Sequence, residues 1–211
     1  YDSRLTNHLP FKDVFAIYDH YQALGFRDFK HQLTGGLLWK AQHPEVETYW
    51  NSKHDTAGVS CNDCHMPKLT NKLGKVFTSH WQTSPRNYLK QTCLRCHKGM
   101  TPDDAVYQID SVKNYTKGKM RKAEFWLSAL IDKIVEGKQA KLDEALLKQA
   151  QEQHQKAHVL WEWWTAENSD GFHNPLAARQ SLASSVEESK QGIKLVTDAL
   201  EAKAVAQSPP K

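Results

Sequence analysis

The chain has 211 residues, enough for one large domain or two small ones. Its hydrophobic fraction of 39% and mean hydropathy of −0.69 are low for a globular protein, and fit a core filled partly by something other than side chains. The formal charge of +4 comes from lysines spread along the chain, which argues against a nucleic-acid partner. No run of about 18 apolar residues offers a membrane span. With Tyr1 in place of an initiator Met and no signal peptide, a mature or cut product is expected.

In chain order, the first expected element is a helix over 11–25. The rest of 1–100 is irregular, with turns at Gly35-Gly36, His43-Pro44, Met66-Pro67, Gly74 and Ser84-Pro85. Polypeptide of this kind wraps cofactors. No stretch shows strand alternation. Region 101–206 reads as long helices. Thr101-Pro102-Asp103-Asp104 is a helix start, with Thr as N-cap, Pro at the first position and acids in the first turn. Gly118 is expected to interrupt this helix. A longer one is expected over 120–166, with Trp126, Leu127, Leu130, Ile131 and Ile134 as an apolar stripe and Gly137 as a point of bending or breaking. Asn174-Pro175 starts the last helix, whose apolar face is Leu182, Val186, Ile193, Val196 and Leu200. Residues 207–211 are expected to be a flexible tail.

All four cysteines fall in two Cys-x-x-Cys-His units, Cys61 to His65 and Cys93 to His97. Two cysteines three positions apart share one face of a helical turn. Their thiols reach the two vinyl groups of one porphyrin, and the following His meets the iron. A zinc site is the competing reading, but the distance between the units and a His directly after each fit it poorly. Two covalent c-type haems are therefore expected, with His65 and His97 as proximal ligands. Their propionates would offset the positive charge. Haem attachment of this kind takes place outside the cytoplasmic membrane, which implies a location in the periplasm or on the outer face of that membrane.

A six-coordinate haem needs a second axial ligand, and only three Met are present. The remaining histidines are 8, 20, 31, 43, 54, 80, 154, 158 and 173. His54, His80 and His173 stand out because each lies beside a turn or helix start, where a side chain can be aimed. His154 and His158 share a helix face; a partly solvated face is the favoured reading over a metal pair. Pro44 restricts His43 and is expected to hold it extended.

These motifs resemble the C-terminal half of the pentahaem cytochrome c nitrite reductases, which form ammonium. The resemblance runs from about Tyr18 to Gly192. It rests on Lys40-Ala41-Gln42-His43-Pro44-Glu45, on Gly58-Val59-Ser60 leading into Cys61 to Pro67, on His80-Trp81 with Ser84-Pro85, on Cys93 to His97, and on Gly171 to Pro175. It implies a mainly α multihaem cytochrome c, an irregular haem-wrapping region followed by long C-terminal helices. It implies that His43 is the active-site histidine over the catalytic haem, and that the Lys40 carbonyl and Gln42 side chain bind calcium. His54 would be distal ligand of the haem on Cys93 and Cys96, and His173 of the haem on Cys61 and Cys64. His80 would serve a haem attached elsewhere.

The departure from the family is the missing haem sites. The catalytic haem hangs on Cys-x-x-Cys-Lys, which this chain lacks, so that haem, the remaining calcium ligands and further haems are expected on an N-terminal part. The chain then reads as a fragment, with a separate subunit as the less favoured option. The other readings are a non-catalytic electron-transfer cytochrome and the C-terminal part of an octahaem reductase or oxidoreductase. The resemblance further implies a homodimer through the C-terminal helices and a quinol-oxidising membrane cytochrome as donor. The apolar stripe of those helices exceeds what one helix partner would bury, which points the same way.

Overall fold

The computed structural model describes residue 11 and residues 14–207, so His8 and the tail beyond 207 lie outside the described residues. Helix α1 (Val14–Ala23) falls within the expected span. Two residue pairs then form a short antiparallel hairpin, β1 (Phe29–Lys30) with β2 (Leu37–Leu38). Three short helices follow: α2 (Glu45–Tyr49), α3 (Lys53–Thr56) and α4 (Cys61–His65). A second hairpin pairs β3 (Lys68–Thr70) with β4 (Val76–Thr78). A 3-10 turn at Pro85–Tyr88 leads to α5 (Cys93–Cys96). The hairpins correct the expectation of no strands. They are two and three residues long, too short to show alternation, and the second is set by its turn. Asn71 there accepts from the backbone N–H groups of Leu73 and Lys75 at 2.9 and 3.0 Å.

Three long helices make up the remainder: α6 (Pro102–Gln139), α7 (Glu144–Ala166) and α8 (Pro175–Gln207). Their starts follow the capping chemistry of the sequence. Thr101 and Asp104 form a capping box ahead of Pro102, and Asp143 accepts from Ala145 and Leu146. Asn174 accepts from the Ala177 N–H at 3.2 Å.

Two expectations about these helices fail. Helix α6 runs straight through Gly118, where an added Cβ would meet nothing within 4 Å. A mid-helix glycine costs about 1 kcal/mol, and burial of α6 against α7 and α8 outweighs that. The expected helix over 120–166 is instead two helices, parted after Gln139, with Lys141 at a φ of +53° in the turn. Gly137 is not the break. A Cβ there would lie 3.0 Å from Val196 and 3.1 Å from Leu147, so the glycine lets α8 and the start of α7 approach.

The core sits between these helices. Ala123 on α6 packs with Val159, Trp163 and Trp164 on α7 and Leu182 and Val186 on α8, while Leu130 and Ile134 on α6 pack with Ala150 on α7 and Val196 on α8; Leu127 is buried as well. Most of the apolar stripe is thus covered within the chain itself, so the stripe alone gives no argument for a dimer. Two serines bring α8 close to α7: Ser181 donates to the Leu160 carbonyl at 2.6 Å and Ser185 to that of Ala157 at 2.7 Å. Helix α1 and Trp39 cap one side of the bundle, with Trp39 edge-on to Trp163 at 5.7 Å. By contrast, the 61–100 segment leaves Leu73, Val76, Phe77 and Trp81 exposed, so the polypeptide by itself buries little apolar surface there.

Candidate haem and active-site region

Each Cys-x-x-Cys-His unit forms one short helical turn, as the spacing requires. Ser60 and Asp63 cap α4 by a reciprocal box, which fixes how Cys61, Cys64 and His65 face. The two units are also tied to each other. The Arg95 guanidinium, inside the second, donates to the Asp63 carboxylate, inside the first, at 2.7 Å. Hydrogen bonds from Ser60, and then Arg95, hold the Asp63 carboxyl down at about 2. Burial pushes the Cys64 thiol up to about 11, with the nearby Cys93 adding to the effect. An uncharged thioether is less costly in that setting than a thiolate.

Two pairs of imidazoles face each other. His65 and His173 have ring centroids 6.3 Å apart with planes at 77°. His54 and His97 stand 6.1 Å apart at 81°. Two metal–imidazole bonds of about 2 Å each, plus the distance from each nitrogen to its ring centre, add up to about 6 Å. Both gaps have the width that one axially ligated iron spans.

The pairs are held from behind. The His65 ring places Nδ1 2.9 Å from the Thr83 carbonyl, and the Thr83 N–H donates to the His65 carbonyl at 3.1 Å. An N–H given by Nδ1 leaves Nε2 as a bare donor toward a metal. The His173 Nδ1 lies 3.4 Å from the Glu167 carboxylate, an ion-pair distance rather than a well-aligned hydrogen bond. That carboxylate side chain has no exposed surface. Burial alone would raise its pKa, but His173, Ser169 and the Gly171 N–H outweigh it and hold it below the usual range. Gly171 has a φ of +79°, and a Cβ there would strike Thr116 of α6 at 2.6 Å, so only glycine lets the His173 loop seat against that helix. Ser52 caps the turn that carries His54, and burial together with nearby His97 lowers the His54 pKa, favouring the neutral imidazole that binds metals.

The Lys40–His43 segment leads into α2. Lys40, Gln42 and His43 are exposed, and Ala41 between them is buried. The Ala41 N–H donates to Glu162 of α7 at 2.9 Å, which fixes the segment to the bundle. His43 is not extended as expected. It takes a φ of +50°, since Pro44 disfavours the right-handed helical region and the chain must turn directly into α2. Such a conformation costs roughly 1–3 kcal/mol and is found mainly at functional sites. His80 stands exposed next to exposed Trp81. His154 and His158 do not form a solvated face: His154 is fully buried and His158 largely so. Among the described residues, no group of three His, Cys, Asp or Glu could hold a metal ion. Thr83, Glu167 and the Asp63–Arg95 pair were not legible from the sequence, since each acts through a contact that only folding brings about.

Helical turns bearing Cys-x-x-Cys-His, followed by a long-helix bundle, define a multihaem c-type cytochrome. A model of the cytochrome c552 family matches residues 6–211, and the chain belongs to that family. It is 34% identical over 201 residues to the cytochrome c nitrite reductase subunit NrfA of Nitratidesulfovibrio vulgaris, covering 89% of this chain and 38% of that protein. The solved catalytic subunit of cytochrome c nitrite reductase from Desulfovibrio desulfuricans, described with two calcium sites, superposes with a TM-score of 0.78 at 32% identity. That match covers 87% of this chain and 40% of the other. The outer cell wall cytochrome OcwA superposes with a TM-score of 0.50 at 24% identity over 74% of this chain and 31% of its own, a likeness of fold alone. The chain thus spans about two fifths of the nitrite reductases it matches. No helix among the described residues is long and apolar enough to cross a membrane.

Proposed function

We propose that this chain is the C-terminal part of an ammonia-forming cytochrome c nitrite reductase located in the periplasm. It carries two bis-histidine relay haems and supplies His43 to a catalytic haem attached to the N-terminal part. The observation that supports this most is the pairing of histidines: His65 with His173 and His54 with His97, each at about the width of one iron with two axial ligands. When bound, the haems supply one-electron transfer between closely spaced irons.

The chain's own residues set how that transfer can occur. Thr83 and Glu167 orient His65 and His173, which would hold the first haem between them and so keep substrate from its iron. His54 and His97 do the same for the second. The Asp63–Arg95 bond keeps the two attachment turns together, and with them the haems they carry. Reduction of nitrite to ammonium consumes six electrons and eight protons. His43 holds a proton next to substrate and gives it to an oxygen that leaves, a general-acid role that an imidazole can fill. Its left-handed backbone, with Ala41 fixed to Glu162, sets where that imidazole stands.

His80 is the distal ligand of a haem attached outside this chain, which accords with its exposure. The Lys40 carbonyl and the Gln42 side chain bind calcium. Two oxygens are short of the six to eight that this cation takes, so the N-terminal part completes the site. A second copy of the protein pairs through the C-terminal helices, and a quinol-oxidising membrane cytochrome is the electron donor.

Replacement of His43 by Asn in the full-length holoenzyme tests the reading. Nitrite turnover should fall by at least about a hundredfold, with the haem count unchanged. Unaltered turnover would remove His43 from the reaction.

A further inference from the structure

A line of polar groups runs through the interior along α7, and the reaction described so far does not use it. It begins at His31, half-buried in the loop of the β1–β2 hairpin. The Thr34 hydroxyl stands 3.2 Å from His31 Nδ1 and 3.4 Å from His154 Nδ1, so it bridges the two rings, whose centroids are 4.9 Å apart. One helical turn on, His158 lies 6.1 Å from His154, centre to centre. Its Nδ1 is 3.7 Å from the Glu162 carboxylate, the group that accepts the Ala41 N–H beneath the Lys40–His43 segment.

We propose that His31, Thr34, His154 and His158 form a proton path from the surface to Glu162, supplying the protons that nitrite reduction consumes near His43. This rests on the nitrite-reductase reading above. Two features support it. His154 Nε2 and His158 Nδ1 are buried and have no hydrogen-bond partner in the protein, a state that internal water relieves. The His158 Nδ1 to Glu162 distance of 3.7 Å is an ion-pair distance, just beyond hydrogen-bond length, so the two groups can exchange a proton directly after a small shift. The three rings do not converge on a point that a metal could occupy.

The hand-off balances: one proton taken up at His31 ends on the Glu162 carboxylate, which is neutral until it gives that proton up at the Lys40–His43 segment and regains its charge. Each histidine takes a proton on one ring nitrogen and releases the one on the other, and Thr34 does the same through its hydroxyl. Burial, with the neighbouring rings adding to it, pushes His154 down to about 3 and His158 to about 4, so both rest neutral with one nitrogen free to accept. The charged and titratable groups around the line are His31 on the hairpin, Glu162 on α7 itself, and Lys40 and Asp28 facing Glu162. Lys138 of α6 and Gln151 of α7 hold the hairpin loop over it by donating to the Leu33 and Thr34 carbonyls, both at 2.8 Å.

The test uses the full-length holoenzyme with His158→Gln, and His31→Gln as a second variant outside the core. Haem count, thermal midpoint and the rate of haem reduction by dithionite report integrity. The expected result is a kcat for nitrite lowered at least fivefold at pH 8 and less at pH 6, with a larger solvent isotope effect and an unchanged rate of haem reduction. Unchanged kcat, pH profile and isotope effect in both variants would overturn the path while leaving the nitrite-reductase reading intact. An unmodified holoenzyme that does not turn nitrite over would overturn that reading and the path with it.

Discussion

The imidazoles of His65 and His173 face each other at 6.3 Å although 108 positions separate them in the chain (173 − 65). One is fixed by the helical turn of its own attachment motif, the other by a loop between α7 and α8 seated on Thr116 of α6. The position of the pair therefore depends on how well that loop is seated, and several expectations follow from its parts.

Removal of the Glu167 carboxylate takes away what orients His173 and leaves the Ser169 and Gly171 N–H groups without their acceptor. Glu167→Ala should lower turnover about tenfold, and a high-spin signal from the first haem should appear in electron paramagnetic resonance. The sign with pH follows from the depressed carboxyl. Glu167 contributes stability above its unfolded value of about 4.3, and that contribution is lost as pH falls through the lower folded value. A purely low-spin spectrum in the variant would contradict its orienting role.

Gly171→Ala puts a Cβ 2.6 Å from Thr116 at a φ of +79°. Strain and overpacking together should cost about 2–3 kcal/mol, seen as a lower thermal midpoint. The damage should extend to His173, so the same variant should show weakened low-spin character at the first haem but not the second.

Gly118→Ala should act in the other direction. The position is exposed, helical and open on every side. A gain of about 0.5–1 kcal/mol is expected from helix propensity, with turnover unchanged. Thermal unfolding of both glycine variants side by side separates backbone preference from steric contact.

The Asp63–Arg95 bond should be worth less than about 1 kcal/mol, because both side chains are more than a third exposed and water screens the pair. Asp63 is held at about 2, below its unfolded value of about 4. The contribution of the Asp63 carboxylate, which comes first from its hydrogen bonds with Ser60 and then from Arg95, is thus present above about pH 4 and lost as pH falls through 2. Denaturant midpoints of Asp63→Ala and the unmodified protein should differ at pH 7 and come together toward pH 2.

Covalent haem, counted by pyridine haemochrome, should equal two on this chain, one for each of its two Cys-x-x-Cys-His units. Any other number would undo the motif assignment.

Local chemistry was readable without a structure. The two attachment turns, the Thr101 and Asn174 helix starts and the apolar faces of α6 and α8 each depend on residues within about one helical turn of one another. Features that depend on distant residues were not readable. Gly137 reads as a breaker until Val196 is seen beside it, and His154 reads as surface until the β1–β2 hairpin covers it. His43 reads as extended until the turn into α2 requires a positive φ. The sequence by itself determined where the two Cys-x-x-Cys-His units lie and that each forms one helical turn, because that is a matter of spacing along the chain. The resemblance already implied which imidazoles meet across a gap; only the tertiary structure decided the width of each gap and what stands behind each ring, because those distances are set by packing between segments far apart in the chain.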